Sequence, residues 1–142
     1  MYIFMLAFSF LVVFILLRLA IPIISPLPQG LGVHNGALGT GPNMPNWASS
    51  TAPAGFAGYV SPLIATKFEG LEPIKQVVLA LPRTRLIEET ESYLYFQQSS
   101  WLFGFIDDIE IHRPAGSEVI HLRSASRLGY YDAGVNKARI EK

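Results

Sequence analysis

An uncharged apolar run at the N-terminus constrains this chain more than any other feature. No residue from position 1 to 17 is charged, and apolar side chains resume after Arg18 as far as Ile24. The stretch from Tyr2 to Ile24 would form a helix of roughly 34 Å, enough to cross a hydrocarbon core about 30 Å thick. Residues 1–25 are therefore predicted to be a transmembrane anchor, with the lipid bilayer as a partner.

A cleavable signal peptide is the competing interpretation of the same run. It would need a basic N-terminal region, an apolar region of about 7–15 residues and a small-x-small cleavage site. No Lys or Arg precedes the run, and Pro22, Pro26 and Pro28 crowd the position where cleavage would fall. These features favour an uncleaved anchor, in which Arg18 extends towards the interface or contacts a partner helix.

The rest of the chain divides by composition. Residues 26–53 are rich in Pro, Gly, Asn, Ser and Thr, which disfavours a helix or a central strand because Pro lacks an amide donor and Gly is costly to order. We expect this segment to be an extended tether, with Trp47 against the domain or at the membrane interface. Residues 54–142 are then expected to form the folded domain.

The domain has the pattern of an α+β fold. Glu72 and Pro73 predict the start of a helix that ends at Pro82, and a second short helix is expected from Asp132, an acceptable N-cap. Four strand-like segments separated by polar bends lie between them: RLIEE, SYLYFQQ, WLFGFIDDIEIH and EVIHLRSAS. The predicted fold is an antiparallel β-meander packed with two short helices and preceded by one transmembrane helix.

The last two segments also predict a pairing register. If the four residues PAGS form the turn between them, the apolar side chains of both strands share one face of the sheet. In that register Glu110 lies opposite His121, and Asp108 lies opposite Arg123. We therefore predict a cross-strand ion pair between Asp108 and Arg123.

Three residues of this hairpin are candidate metal ligands. Glu110, His112 and His121 share the predicted polar face, and two imidazoles with a carboxylate are able to bind a divalent cation. A solvated sheet face is the alternative, and no compact motif fixes the spacing of the ligands. We expect no metal.

No catalytic motif is present. Ser49, Ser50, Ser124 and Ser126 are candidate nucleophiles, but there is no G-x-S-x-G elbow, and His34 lies in the predicted tether. Phosphate-binding glycine loops and H-E-x-x-H are also absent, and the chain has no cysteine. We therefore predict no catalytic residue and no cofactor. Because Lys plus Arg equals Asp plus Glu, at 11 each, nucleic acid is not an expected partner.

Asp107 falls on the predicted apolar face, where an isolated charge would be very costly. Serines of the facing strand and Arg127 or Arg139 are available as partners, and a buried carboxylate with Arg is more often structural than catalytic. The predicted polar network, structural or ligand-binding, comprises Asp107, Asp108, Glu110, Arg123, Ser124, Ser126, Arg127, Asp132, Asn136 and Arg139.

The C-terminal region carries a long ordered motif, in which FGFIDDIEIH precedes a short turn and RSASRLGYYDAGVNKARIE. Upstream, LGVHNGALGTGPNMPNWASS places Pro-Asn ahead of a Ser-Ser pair, and LPRTRLI is a third landmark. Residues 31–142 thereby resemble the bacterial and plastid family called domain of unknown function 1499. The residues matching its C-terminal motif are Phe105, Asp107, Asp108, Glu110, Arg123 to Arg127, Gly129, Asp132, Gly134, Asn136, Arg139 and Glu141.

The resemblance implies a small domain, often preceded by a membrane anchor or export signal, with no established activity. It favours a periplasmic or lumenal position, which we expect, although the positive-inside rule applied to Arg18 favours the opposite orientation. Family members usually carry two upstream cysteines, whose positions here are Gly41 and Trp47. The resemblance therefore implies that this chain has lost any cysteine-dependent redox or metal function.

These observations lead to three hypotheses. The first is a non-enzymatic accessory module, tethered to the membrane by a single span, that docks on a membrane protein complex. The second is a binder of a small anionic ligand or lipid head group through Arg123, Arg127 and Arg139. The third is a metal-dependent hydrolase that uses the glutamate and two histidines of the hairpin.

Overall fold

The computed structural model describes residues 2–28 and 30–142, which form three α-helices, eight strands and one short 3-10 turn. The first half contains α1 (Tyr2–Ile24), β1 (Val33–His34), β2 (Ala37–Leu38), β3 (Trp47–Ser49), β4 (Leu63–Ile64), the 3-10 turn (Ala65–Lys67) and α2 (Glu72–Leu79). The second half contains β5 (Thr84–Glu89), β6 (Tyr93–Ser99), β7 (Ile106–His112), β8 (Val119–Ser126) and α3 (Val135–Ile140).

Strands β5 to β8 form the antiparallel meander expected from the sequence. The sheet order is β3-β8-β7-β6-β5, with β4 also pairing with β8, and every ladder between these strands is antiparallel. The α+β class is thus confirmed. α2 begins at Glu72 with Pro73 in its first turn, as its sequence predicts.

The apolar face of the meander packs against α2 and α3. Deeply buried Phe96, Ile109 and Ile111 form its centre, and Ile74 and Val78 of α2 cover them. Burial of each large aliphatic or aromatic side chain contributes about 1.5–3 kcal/mol, so this cluster is the main source of stability. The alternate residues of β7 and β8, including Glu110 and Arg123, lie on the other face of the sheet.

Residues 30–53 differ from the extended tether that their composition predicts. Leu38 packs against the tyrosines of β6, and Trp47 and Ala48 are buried in β3 at the edge of the sheet. Pro and Gly exclude a central strand but not an edge strand. Glycines at positive φ, such as Gly36 at 79°, form the turns that bring this segment onto the sheet. The folded part therefore begins near residue 30 rather than 54.

The β7–β8 register differs by two residues from the predicted one. Glu110 lies opposite Arg123 and His112 opposite His121, so the predicted Asp108–Arg123 ion pair is wrong. The PAGS turn does form, with a bond of 3.0 Å from the amide of Ser117 to the carbonyl of Pro114.

The start of β8 extends beyond the end of β7 and pairs along its other edge with β4, where Ile120 lies opposite Leu63. A shift of two residues preserves the alternation of side chains, so each residue stays on its predicted face.

No described residue of α1 is buried, and the helix is long and apolar enough to cross a membrane, a property that N-terminal signal sequences share. The second half of the helix contacts the loop between β6 and β7. Arg18 donates from Nη1 to the carbonyl of Leu102 at 3.2 Å, and the rings of Phe14 and Phe103 lie 6.2 Å apart. Arg18 therefore contacts the chain's own domain.

Candidate functional site

A buried ion pair lies under the β1–β2 hairpin. Glu110 and Arg123 are 1% and 0% exposed, and Oε2 of Glu110 lies 2.5 Å from Nη1 of Arg123. Oε1 of Glu110 accepts bonds from the hydroxyl of Tyr93 at 2.9 Å and the amide of Gly32 at 2.6 Å. Arg123 also donates to the carbonyl of Gly30 at 2.9 Å. The pair thus connects the centre of the sheet to the segment that covers it.

A second ion pair lies beside the first on the same face. Arg127 donates to both carboxylate oxygens of Asp108 at 2.8 Å, in the bidentate geometry that suits a guanidinium. The hydroxyl of Tyr95 donates to Asp108 and accepts from Gln97 at 2.7 Å and from Arg127 at 2.9 Å. Asp108 therefore pairs with Arg127, four residues beyond the partner that the sequence predicts.

The surroundings shift the pKa values of this face. Burial raises the pKa of Glu110 despite the opposing charge of Arg123. Burial also raises the pKa of Tyr95 to about 12 and raises that of Tyr93, which lies next to Glu110. Hydrogen bonding to Asp108 raises the pKa of Arg127. At neutral pH both tyrosines are protonated, and their hydroxyls donate to Glu110 and Asp108.

Asn136 is the centre of a second cluster on the opposite face. It is fully buried, its Oδ1 accepts from the hydroxyl of Ser124 at 2.6 Å, and its Nδ2 donates to Ser126 and to the carbonyl of Asn46 at 2.9 Å. Asp132 accepts from the side chain of Asn136 and from its backbone amide, both at 2.8 Å. Asp132 thus accepts from one first-turn amide, that of Asn136, but the N-cap is Gly134 rather than the predicted Asp132, because α3 begins three residues later, at Val135.

Arg139 connects this cluster to Asp107. Its Nη2 lies 2.5 Å from Oδ2 of Asp107, its Nη1 donates to Ser124 at 2.7 Å, and its Nε donates to Gln98 at 2.6 Å. The structure therefore brings the ten predicted network residues into two groups. Asp108, Glu110, Arg123 and Arg127 lie on one face of the sheet, and Asp107, Ser124, Ser126, Asp132, Asn136 and Arg139 on the other.

The three candidate metal ligands share one face but have other partners. Both oxygens of Glu110 are engaged, and the ring nitrogens of His112 lie 3.0 and 3.2 Å from the carbonyls of Ser92 and Gly36. Nδ1 of His121 lies 3.1 Å from the hydroxyl of Ser50. Within residues 2–28 and 30–142, no group of three His, Cys, Asp or Glu side chains is arranged to hold a metal ion.

The sequence does not predict the contact between Ser50 and His121, because the composition around Ser50 predicts a tether. The Ser50 hydroxyl accepts from the amide of Leu122 at 2.9 Å, and the neighbouring Ser49 donates to the carbonyl of Leu122 at 3.0 Å. These bonds attach the start of the domain to β8. Burial and the neighbouring His112 lower the pKa of His121, so its neutral form is favoured.

Two of the cavities border these networks, one at Arg139 and the other at Gln97. The helix cleft, of about 270 Å³, lies between α2, α3 and the apolar sheet face; Val77, Leu81 and Ile140 are among its lining residues, with Arg139 and Lys142 as the cationic ones. The α1 cavity, of about 430 Å³, is lined mostly by residues of polar type. It is lined by Pro22, Arg83, Thr84, Arg85, Gln97, Gln98, Ser99 and Ile106.

A family model described as protein of unknown function (DUF1499) matches residues 37–142, which is most of the chain. The chain belongs to the DUF1499 family. No curated protein and no solved structure matches it. The match includes both polar clusters and β2 to α3 but not α1, so the DUF1499 domain and the apolar helix are separate parts of the chain.

The structure places the two positions at which DUF1499 relatives are expected to carry cysteines in direct contact. A Cβ atom on Gly41 would overlap the indole ring of Trp47. That ring stacks on Phe56 with 4.5 Å between the ring centres. In this member, Trp47 thus fills the space beside a residue that has no side chain, and apolar packing joins the two segments.

Proposed function

We propose that this DUF1499 protein is a membrane-anchored, non-catalytic accessory module that docks on a membrane protein complex. The observation that carries the proposal is a contrast between the charged side chains, which are buried and paired, and the apolar surface, part of which is exposed. The buried carboxylates and arginines bond to one another inside the domain, whereas α1 and the helix cleft leave apolar surface exposed. Exposed contiguous apolar surface is typical of membrane and protein interaction sites.

The helix cleft is the docking surface in this proposal. Val77 on its rim is 63% exposed, although it neighbours the fully apolar floor formed by Ile109 and Ile111. Lys142 adds positive charge at one side, whereas the charge of Arg139 is paired with that of Asp107. This chemistry suits an apolar segment of a partner protein that is flanked by acidic residues.

Size-exclusion of the full-length protein after mild detergent extraction tests docking, with mass spectrometry to identify what co-elutes. We expect co-migration with a larger assembly and at least a tenfold loss of that species in Val77→Asp. Leu79→Asp is the matched control, because Leu79 lies on the same helix outside the cleft and is also exposed. A wild-type protein that elutes alone, or equal losses in both variants, would contradict the proposal.

The other two hypotheses receive less support from the same geometry. Arg123, Arg127 and Arg139 already bond to carboxylates, so an anionic ligand would have to displace an internal partner from each. A hydrolase that uses Glu110 would first have to release that carboxylate from Arg123. Breaking such a buried pair costs about 3–5 kcal/mol.

We place α1 as a single-pass span with the domain on the periplasmic or lumenal side. Length and apolarity support the span, and the export or anchor signals expected of family members support the side. Reporter fusions to Lys142 test the orientation. A reporter that is active only outside the cytoplasm should be active, and activity of a cytoplasm-only reporter would reverse the assignment.

A further inference from the structure

We propose that the end of the domain next to α1 is a second bilayer-binding surface. In this proposal the loop of residues 100–105 enters the membrane interface alongside α1, and Arg83 and Arg85 face lipid phosphates. The inference rests on the proposed anchoring by α1 and extends it. The domain is then attached to the bilayer at two places rather than suspended from a flexible tether.

The first observation is that the loop packs directly on α1. Arg18 donates to the carbonyls of Leu102 at 3.2 Å and Ser100 at 3.5 Å. Gly104, at a φ of 73°, allows the close approach, since a Cβ atom there would lie 3.2 Å from the Arg18 carbonyl oxygen. Arg18 therefore supplies hydrogen bonds to backbone carbonyls that lipid could not satisfy, and the loop in turn shields its charge.

The position of these contacts along α1 determines their depth. Phe14 lies about 15 Å, and Arg18 about 9 Å, before the end of the helix at Ile24. A helix of roughly 34 Å across a core of about 30 Å leaves only about 4 Å outside the hydrocarbon. The loop that contacts Phe14 and Arg18 must then lie at or below the level of the head groups.

The exposed residues of the loop suit that environment. Trp101 is 72% exposed, and Leu102, Phe103 and Phe105 are also exposed instead of joining the core. Tyr130 and Tyr131 follow the end of β8, and that end of the sheet is the one at which the loop joins β7. Trp and Tyr are enriched at membrane interfaces, where an apolar ring and a polar group are both accommodated.

The second observation is the charge of the α1 cavity. Arg83 donates to the carbonyl of Ser99 at 2.9 Å and Arg85 to the side chain of Gln97 at 2.6 Å, which are neutral partners. Within the described residues neither arginine forms an ion pair with a carboxylate, unlike the three arginines of the polar clusters. The buried hydroxyl of Thr84 between them also has no partner there. Two such guanidinium groups beside Pro22 of α1 match the chemistry of lipid phosphates.

Depth-dependent quenching of tryptophan fluorescence tests the loop. The full-length protein is placed in phosphatidylcholine nanodiscs with or without brominated acyl chains. The emission of Trp101 is obtained as the difference between the emission of the wild type and that of Trp101→Phe. We expect brominated lipid to quench Trp101 emission at least twofold and the remaining Trp47 emission several times less, because Trp47 is buried against Phe56.

Co-elution of the protein with the discs tests separately whether α1 anchors the protein in the bilayer. If the protein co-elutes with the discs but Trp101 is quenched no more than Trp47, the loop does not enter the bilayer, although α1 still anchors the protein. This result would overturn the inference about the loop. Protein that does not co-elute would overturn both. Docking on a protein complex is measured by size-exclusion from native membranes, so its failure is distinguishable from either outcome.

A second experiment tests whether Arg83 and Arg85 bind lipid phosphates. It measures, by mass spectrometry of the full chain, how much phosphatidylglycerol the protein retains after detergent extraction. Arg83→Gln with Arg85→Gln should reduce retention at least fivefold. Lys67→Gln with Arg113→Gln is the control, with the same change of charge at the other end of the sheet. Equal loss in the control pair overturns the assignment. Excess inorganic phosphate should leave wild-type retention unchanged, and competition would identify a free-phosphate site instead of a lipid site.

Discussion

The ring of His121 lies opposite His112 on the adjacent strand and within 3.1 Å of the Ser50 hydroxyl. Burial first, and the charge of His112 second, lower its pKa from the ordinary value of 6.5. The folded protein thus binds this proton less readily than the unfolded chain does. Stability that depends on neutral His121 is present above pH 6.5 and is lost as the pH falls below that value.

His121→Gln tests this linkage. Between pH 7.5 and 5 the thermal midpoint of the full chain in detergent should fall less in His121→Gln than in the wild type, because only the wild type must protonate this group on unfolding. His34→Gln, on the exposed β1–β2 hairpin, is the matched control and should follow the wild type. Parallel curves for wild type and His121→Gln would refute the linkage.

The contact between Gly41 and Trp47 predicts a coupled effect on stability. Gly41→Ala should lower the free energy of unfolding by about 1–3 kcal/mol, the usual cost of overpacking, because its Cβ would overlap the indole. In a Trp47→Ala background the same change should cost much less. Urea denaturation of the four proteins gives the coupling, and an equal cost in both backgrounds would contradict direct contact.

At the scale of elements, the β7–β8 hairpin separates what local sequence determines from what it does not. The alternation of Ile109 and Ile111 with polar neighbours determines which face of the sheet each residue occupies, and the structure agrees. The alternation does not fix the register, because a shift of two residues leaves every side chain on the same face. The same apolar pattern is compatible with Glu110, rather than Asp108, lying opposite Arg123, as the structure has it.

The candidate site, like the hairpin, was predictable from the sequence only in part. The sequence identifies the ten network residues, since polar side chains on buried strands must find partners. It does not identify the groups that complete the network, which come from distant, loop-like sequence. Asn46 bonds to Asn136, 90 residues away, and the Gly32 amide bonds to Glu110, 78 residues away. The Gly and Pro content of this segment predicts a tether, although its glycines form turns that place backbone donors over the sheet.

A double-mutant comparison tests the register directly. Glu110→Gln and Arg123→Gln should each destabilise the domain by about 3–5 kcal/mol, because each removes one charge of the buried ion pair, and together they should cost far less than the sum. Asp108→Asn combined with Arg123→Gln should be closer to additive, since Asp108 bonds to Arg127. Unfolding free energies in urea give both couplings. Stronger coupling of Arg123 to Asp108 would restore the register predicted from the turn.

Contacts between α1 and the loop of residues 100–105 join the helix and the domain into one structural unit. The loop of residues 100–105 has its own internal bonds: the Ser100 amide donates to Phe105 at 2.8 Å and the Gly104 amide to Ser100 at 3.2 Å. Its carbonyls at Ser100 and Leu102 also accept from Arg18, 82 and 84 residues earlier in the chain. The Arg18 side chain therefore couples α1 to the loop of residues 100–105, so a change at Arg18 should alter how well ordered that loop is.

Arg18→Leu should therefore loosen the loop and leave the sheet unchanged. We expect amide exchange of Ser100 and Gly104 in the full chain to accelerate at least tenfold, because carbonyls of the loop lose their donor from α1. Amides of the β6–β7 ladder should keep wild-type rates. Ser9→Ala is the control, since the Ser9 hydroxyl bonds within α1, to the carbonyl of Met5 at 2.9 Å. Unchanged protection of Ser100 and Gly104 in Arg18→Leu would mean that helix and domain are joined by the chain alone, and the two-place attachment to the bilayer would lose its structural basis.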